Sequence, residues 1–247
     1  MASPIRRPKT KRGLALAIGG TLAVLAVVVF ALVYFVIFPT SSPKPFTLST
    51  STSASPSTTG AASVSSAQLR GSWKIAGGSQ AGYRVREKLA FLPAQSDAVG
   101  RTSQITGEAH FSETNGRLTI TAGSFSVAVN TLTSDRSMRD EKIHEIGLES
   151  DRYPTATFVL SKPITLPASA LVGRAAHVSS AGVVTIHGTS RQETIPLEMS
   201  LSGSTLGVVG GITFPWSEFN MTAPSIGGFV NVTDKATMEF DLRLQRA

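Results

Sequence analysis

The last strand-like run of the chain, Thr237 to Gln245, alternates without a slip. Met238, Phe240, Leu242 and Leu244 fall on one parity, and Thr237, Glu239, Asp241, Arg243 and Gln245 on the other. Successive side chains of a strand point to opposite faces, so this pattern demands a strand with one buried and one wet face. The same period recurs upstream. Tyr83, Val85, Glu87 and Leu89 oppose Arg84, Arg86 and Lys88; Ile105, Ala109 and Phe111 share a face; so do Ile195, Leu197, Met199 and Leu201. Leu118 and Ile120 are even, but Phe125, Val127 and Val129 are odd, a parity switch that predicts a bulge near Gly123. Asn115-Gly116 and His187-Gly188 are tight-turn signals. About eight to ten short antiparallel strands with regular turns predict a sandwich or a closed barrel.

Two places break the pattern. Glu87 stands on an apolar parity, where a carboxylate needs a partner or a route to solvent; Arg101 is the candidate partner. From Thr131 to Phe158 the alternation stops. Asp135, Asp140, Glu141, Glu145 and Glu149 crowd together with Arg136, Arg139, Lys142 and Arg152. Ser134 or Asp135 can cap a helix start, Ile143 and Ile146 are spaced as on one helical face, and Tyr153-Pro154 ends the run. This reads as a charged, helix-containing crossover, with Ile143, Ile146 and Leu148 closing the apolar end of the domain.

The formal charge of +7 points at first to nucleic acid. Its location argues otherwise. Residues 1–70 hold seven bases and no acid, whereas residues 71–247 hold 16 of each. The excess belongs to the N-terminal part, and no nucleic-acid partner is expected. With no cysteine, disulfides, a thiolate nucleophile and cysteine-ligated zinc are excluded.

Leu14 to Phe38 is 25 residues without a charge, preceded by Arg6, Arg7, Lys9, Lys11 and Arg12. A helix of that length crosses a hydrocarbon core of about 30 Å. The run is too long for a cleaved signal peptide and ends in large residues. The sequence therefore predicts a basic cytoplasmic tail (1–13), a single-pass transmembrane helix (14–38), a Ser/Thr/Pro-rich linker (39–70) and an exported barrel domain (71–247). The linker has too little bulky apolar surface to pack and reads as a flexible tether holding the domain off the membrane.

Catalytic patterns are scarce. Ala223-x-Ser225-x-Gly227 is the nearest approach to a nucleophile elbow and lacks its first glycine. The four histidines, His110, His144, His177 and His187, share no ligand spacing, so no metal is expected. Asp140 and Glu141 are the weak candidates for acid–base work, yet adjacent helical residues point apart. The inward parity carries medium or small residues, including Ala109, Val127, Val129, Ala156 and Val183. An eight-stranded barrel so lined has room for one small ligand; a filled core is the plainer alternative.

Several blocks together resemble the YceI-like family. They are Leu132-Thr-Ser-Asp135 with Arg139-Asp140-Glu-Lys142, then Leu148-Glu-Ser-Asp-Arg-Tyr-Pro154-Thr-Ala-Thr-Phe158. Gly182-Val-Val-Thr-Ile-His187-Gly188-Thr-Ser-Arg191 follows, with Ile195-Pro196-Leu197 and Phe214-Pro-Trp-Ser-Glu-Phe219-Asn-Met221. Phe229-Val-Asn-Val-Thr-Asp-Lys-Ala-Thr-Met-Glu-Phe-Asp-Leu242 closes the set. The resemblance implies an all-β, lipocalin-like extended antiparallel barrel, exported, that binds a long isoprenoid lipid in an elongated apolar cavity. A polyprenyl phosphate or an isoprenoid quinone would be such a lipid. It implies no enzyme and no cofactor beyond the bound lipid. The long anchor and linker depart from the typical secreted member.

On that basis the inward positions Val85, Ile105, Phe125, Val127, Phe158, Ile186, Leu197, Trp216, Phe219 and Phe240 are candidate ligand-lining residues. Arg139 or Arg191 would meet a phosphate head, unless each is paired with a nearby acid. The alternatives are an envelope interaction module that uses the charged crossover and, more weakly, a hydrolase or isomerase that uses its acids.

Overall fold

Each alternating run forms a strand, because only a pleated segment puts its apolar parity on one side. In the computed structural model, which describes residues 25, 42–48, 66–89, 95–226 and 230–247, the strands are these. β1 is Gly71–Ile75, β2 Gln80–Leu89, β3 Gln95–Thr102, β4 Ile105–Thr114, β5 Arg117–Ala128 and β6 Thr155–Leu160. β7 is Ile164–Thr165, β8 Ala176–Ile186, β9 Thr189–Ser202, β10 Thr205–Pro215, β11 Ser225–Ile226 and β12 Val230–Arg246. Among the described residues of the barrel unit, short α-helices accompany them: α1 (Ser66–Leu69), α2 (Ser137–Lys142) and α3 (Ala168–Leu171).

The strands close on themselves. β1 and β2 follow one another along the same edge of β12, Ile75 opposite Leu244 and Gln80 opposite Asp241. On their other side they meet β4 and β3 respectively. β1–β2 and β3–β4 thus act as two long, kinked staves. With β5, β6, β8, β9, β10 and β12 they make an eight-stave antiparallel barrel, each stave beside its sequence neighbour and β12 returning to the first. The turns use the residues the sequence offers. Asn115 and Gly116 both have positive φ (53° and 73°), as do His187 and Gly188 (50° and 68°). This is the two-residue turn whose twist suits a hairpin.

The bulge predicted near Gly123 falls at Thr121, between the Phe111–Ile120 and His110–Ala122 pairs. Val183, expected inward, is on the outer parity of β8, where it pairs with the exposed Val159; Val184 takes the inward place. The Val-Val pair gave no alternation from which to choose.

The chain forms two units, Met1–Ser42 and Pro43–Ala247. The expected transmembrane run Leu14–Phe38 lies outside the described residues apart from Leu25, which is helical. Among the described residues no helix is long and apolar enough to cross a membrane.

Within the second unit, part of the stretch read as a free tether is docked. Pro43 and Lys44 present their carbonyls to Arg84 Nη2 (2.7 Å) and Arg101 Nη2 (2.6 Å). The Arg101 guanidinium stands 3.9 Å over the Phe46 ring, and Leu48 reaches Gly207. These residues are an outer strap across β2, β3 and β10. Under it, Glu239 of β12 accepts from Arg84 (3.2 Å) and Arg101 (3.1 Å) and is only 7% exposed. A polar linker packs here because the guanidiniums supply donors and a flat cationic face, which composition does not reveal.

Glu239→Ala leaves two guanidiniums side by side without their shared carboxylate. It is expected to destabilise the barrel by about 2 kcal/mol, read as a lower urea midpoint at unchanged slope. Phe46→Ala removes only the stacking and is expected to cost under about 1 kcal/mol. A wild-type midpoint for Glu239→Ala would show that the outer network contributes nothing.

Candidate functional site

The inward face of the staves does not fill the barrel. A cavity of about 120 Å³ remains between the staves. Its lining is almost wholly apolar and reaches every stave. On β12 alone it extends from Met238 to Leu244, about 20 Å of strand at 3.4 Å per residue. The space is therefore long as well as apolar.

Glycines keep it open. A Cβ on Gly182 would fall 2.3 Å from the Phe158 ring and 2.5 Å from the Val159 carbonyl oxygen. One on Gly107 would fall 2.6 Å from the Phe125 ring, and one on Gly210 2.8 Å from the Phe240 ring. In each case the phenyl ring occupies the place where a side chain would start. The ring lies along the wall because its neighbour has none. A large apolar residue thus lines the cavity without filling it.

The two ends are packed. At one, Trp73 and Phe111 stack with centroids 4.9 Å apart, and Trp73 Nε1 donates to the Leu69 carbonyl of α1 (2.9 Å). At the other lies the crossover. It consists of a 3-10 turn (Val129–Thr131), α2 and a π-helical turn (Ile143–Gly147). The expected side-chain cap is absent: α2 begins after Arg136, and the Asp140 carboxylate instead accepts the Ser134 N–H (2.8 Å). Ile143 is buried, and Leu148 packs against the core. Ile146, expected to join them, is 37% exposed. The π turn, with Leu148 N–H donating to the Ile143 carbonyl, widens the helix, so residues three apart no longer share a face.

Two contacts fix the crossover to the barrel, through Arg101 and Glu87, and a third, at His144, braces it internally. Arg101 and Thr133 exchange backbone hydrogen bonds (2.8 and 3.1 Å). His144 bridges the Leu132 carbonyl (2.9 Å) and the Ser150 hydroxyl (2.8 Å). Glu87, only 8% exposed, accepts two bonds from Arg139, at 3.0 Å from Nε and 3.1 Å from Nη2. This corrects the expected Glu87–Arg101 pair, since Arg101 is turned outward to Glu239. Arg139 also bonds Asp135. Burial works against its charge, but the two carboxylates outweigh this and raise its pKa. Close by, burial pushes the Tyr83 phenol well up.

The crossover acids that invite an acid–base reading are engaged in structure. Asp135 bonds Arg139, Asp140 holds the Ser134 N–H, and Glu141 and Glu145 flank Lys142. Glu149 lies 3.4 Å from His187 and 4.0 Å from Arg152.

Of the candidate lining residues, Ile105, Phe125, Val127, Phe158, Leu197 and Phe240 surround the cavity. Val85, Ile186, Trp216 and Phe219 do not; they are buried in the packing at the crossover end. Alternation reports that a side chain faces inward, not how far along the barrel axis it sits. Arg139 is committed to its acids, and Arg191, on the inward parity of β9 opposite Val184, is exposed, stands outside the cavity lining and donates to the Ser190 carbonyl. The lining also includes Leu206, Val208 and Ile212 of β10 and Ser180 of β8, which had not been singled out. On β10 the signal was blurred by Val209, Gly210 and Gly211; on β8 the run Ala-His-Val-Ser-Ser has no clear parity.

A model of the YceI-like domain matches residues 73–244. Two solved structures share the fold. A polyisoprenoid-binding domain from Saccharophagus degradans is 12% identical, with 72% of this chain and 99% of that one covered at a TM-score of 0.54. The Campylobacter jejuni YCEI protein is 14% identical, with 65% and 91% covered at a TM-score of 0.50. No curated protein matches the chain.

Gly182→Val places its side chain inside the Phe158 ring and is expected to cost about 3 kcal/mol, read by urea unfolding. Arg139→Ala leaves Glu87 buried and alone, at a cost of about 3 kcal/mol. The double change Glu87→Leu with Arg139→Leu is expected to recover most of that loss. Equal instability of the double and single variants would refute the ion-pair assignment.

Proposed function

The chain belongs to the YceI-like family, and from that premise we propose that it binds a long isoprenoid lipid, such as a polyprenyl phosphate or an isoprenoid quinone, in the barrel cavity. In this reading Leu14–Phe38 anchors the chain as a single-pass span, with its basic tail cytoplasmic and the barrel exported. The carrying observation is the apolar cavity, held open by rings laid over glycines. Each isoprene unit adds five carbons, and apolar burial at about 25 cal/mol per Å² makes several units worth many kcal/mol before ordering costs. A long apolar cavity is thus sufficient for affinity without reactive groups, and the reading assigns the barrel no reaction. The similarity to a domain described as polyisoprenoid-binding supports the same ligand class. The crossover serves as the fixed cap of one end, tied down through Glu87 and Arg139.

Native mass spectrometry of the full chain, released from detergent after incubation with a long isoprenoid, tests this. The expected result is a one-to-one adduct that is weakened by Gly182→Val. A chain that stays free of lipid at every isoprenoid concentration would overturn the proposal.

A further inference from the structure

Ser180 is 2% exposed and lines the cavity. It shares the inward parity of β8 with Val184 and Ile186, and it pairs across the sheet with Ile195, also a lining residue. The other polar residues of the lining, Thr157 and Glu239, have the opposite parity. Thr157 stands between Ala156 and Phe158, and Glu239 between Met238 and Phe240, so both border the cavity through their backbone. The Glu239 carboxylate is held on the outer face by Arg84 and Arg101. Ser180 is therefore the one polar side chain directed into the cavity among the described residues. It makes no side-chain hydrogen bond there. Its hydroxyl opens onto an apolar cavity, where a bound molecule is what could pair with it.

Charge narrows what could pair with it. No Lys, Arg or His lines the cavity among the described residues. At the capped end the Arg139 guanidinium is already shared by Glu87 and Asp135. A phosphate drawn inside would be a buried anion without a counter-ion, which is prohibitive in an apolar setting. An uncharged oxygen acceptor carries no such penalty and satisfies the hydroxyl.

We infer that Ser180 is the polar anchor of the cavity, donating its hydroxyl hydrogen to a carbonyl or ether oxygen of the bound lipid, and that the preferred isoprenoid has an uncharged head and not a phosphate. The inference rests on the lipid-binding reading above and deepens it.

Three probes of matched isoprenoid length distinguish the cases: a plain hydrocarbon, a quinone and a monophosphate. Each is titrated into the full chain and into Ser180→Ala by native mass spectrometry. The wild-type chain is expected to take the quinone at least about tenfold more tightly than the phosphate. Ser180→Ala is expected to weaken the quinone about fivefold to tenfold, the worth of one hydrogen bond, and to leave the hydrocarbon unchanged. Its melting temperature should not fall, because loss of an unpaired hydroxyl is neutral or stabilising. Tighter wild-type binding of the phosphate overturns the inference, as does an equal loss of hydrocarbon and quinone in Ser180→Ala; in either case lipid binding itself stands. If none of the three probes binds, the lipid-binding reading falls and the inference with it.

Discussion

Both edges of β12 are occupied along its length. β10, from Thr205 to Pro215, and β11 run along one edge, and β2 and β1 share the opposite edge in turn. Without that second edge the staves would form an open sheet with two rows of unpaired amides and an apolar face in water. Closure turns the alternating pattern into an inside and an outside. It also explains why so much of the outer chemistry gathers here. Arg84 and Arg101 come from the neighbouring staves β2 and β3, Glu239 comes from β12, and the Pro43–Leu48 strap crosses the same face. Cross-strand charge pairs of this kind favour one register over its neighbours, since a slip of one residue would carry them inward.

A barrel that keeps a cavity gives up dispersion contacts along its lining. The packing at the two ends offsets this. Trp73 and Phe111 at one end, tilted against each other, and Phe214 and Phe219 at the other, edge to face with centroids 4.8 Å apart, are buried. The crossover adds the Glu87–Arg139 pair, whose strength depends on the exclusion of water by the same packing. Rigidity is thus concentrated at the ends, and the free volume between them.

Period and turn chemistry are local properties, which is why the strands and the hairpins at Asn115-Gly116 and His187-Gly188 were legible in the sequence, while the choice of a barrel over a sandwich came with the family resemblance. The blocks around the crossover also carried the family. Partner choice was not legible: Glu87 pairs with Arg139, 52 residues away, and not with Arg101. Nor was depth along the axis, so Trp216 and Phe219, inward like Phe240, were placed in the lining although they belong to the end packing. The π turn that turns Ile146 out is set by how the crossover must meet the barrel, not by its own spacing. The strap escaped notice because Ser/Thr/Pro composition reports what a segment lacks and is silent on the arginines it will meet.

The phenyl rings laid over Gly182, Gly107 and Gly210 have a consequence for size selection. A packed wall has one volume, and to change it strands must move. Here Phe158, Phe125 and Phe240 each stand between bare backbone on one side and free space on the other. Rotating one such ring to another staggered rotamer exchanges wall for lumen with every backbone hydrogen bond left in place. The length of chain the barrel accommodates is then set by a few side-chain torsions, which relax far faster than strands rearrange. If it holds the isoprenoid proposed above, such a container tolerates a distribution of tail lengths and reserves its selectivity for the few positions that are polar.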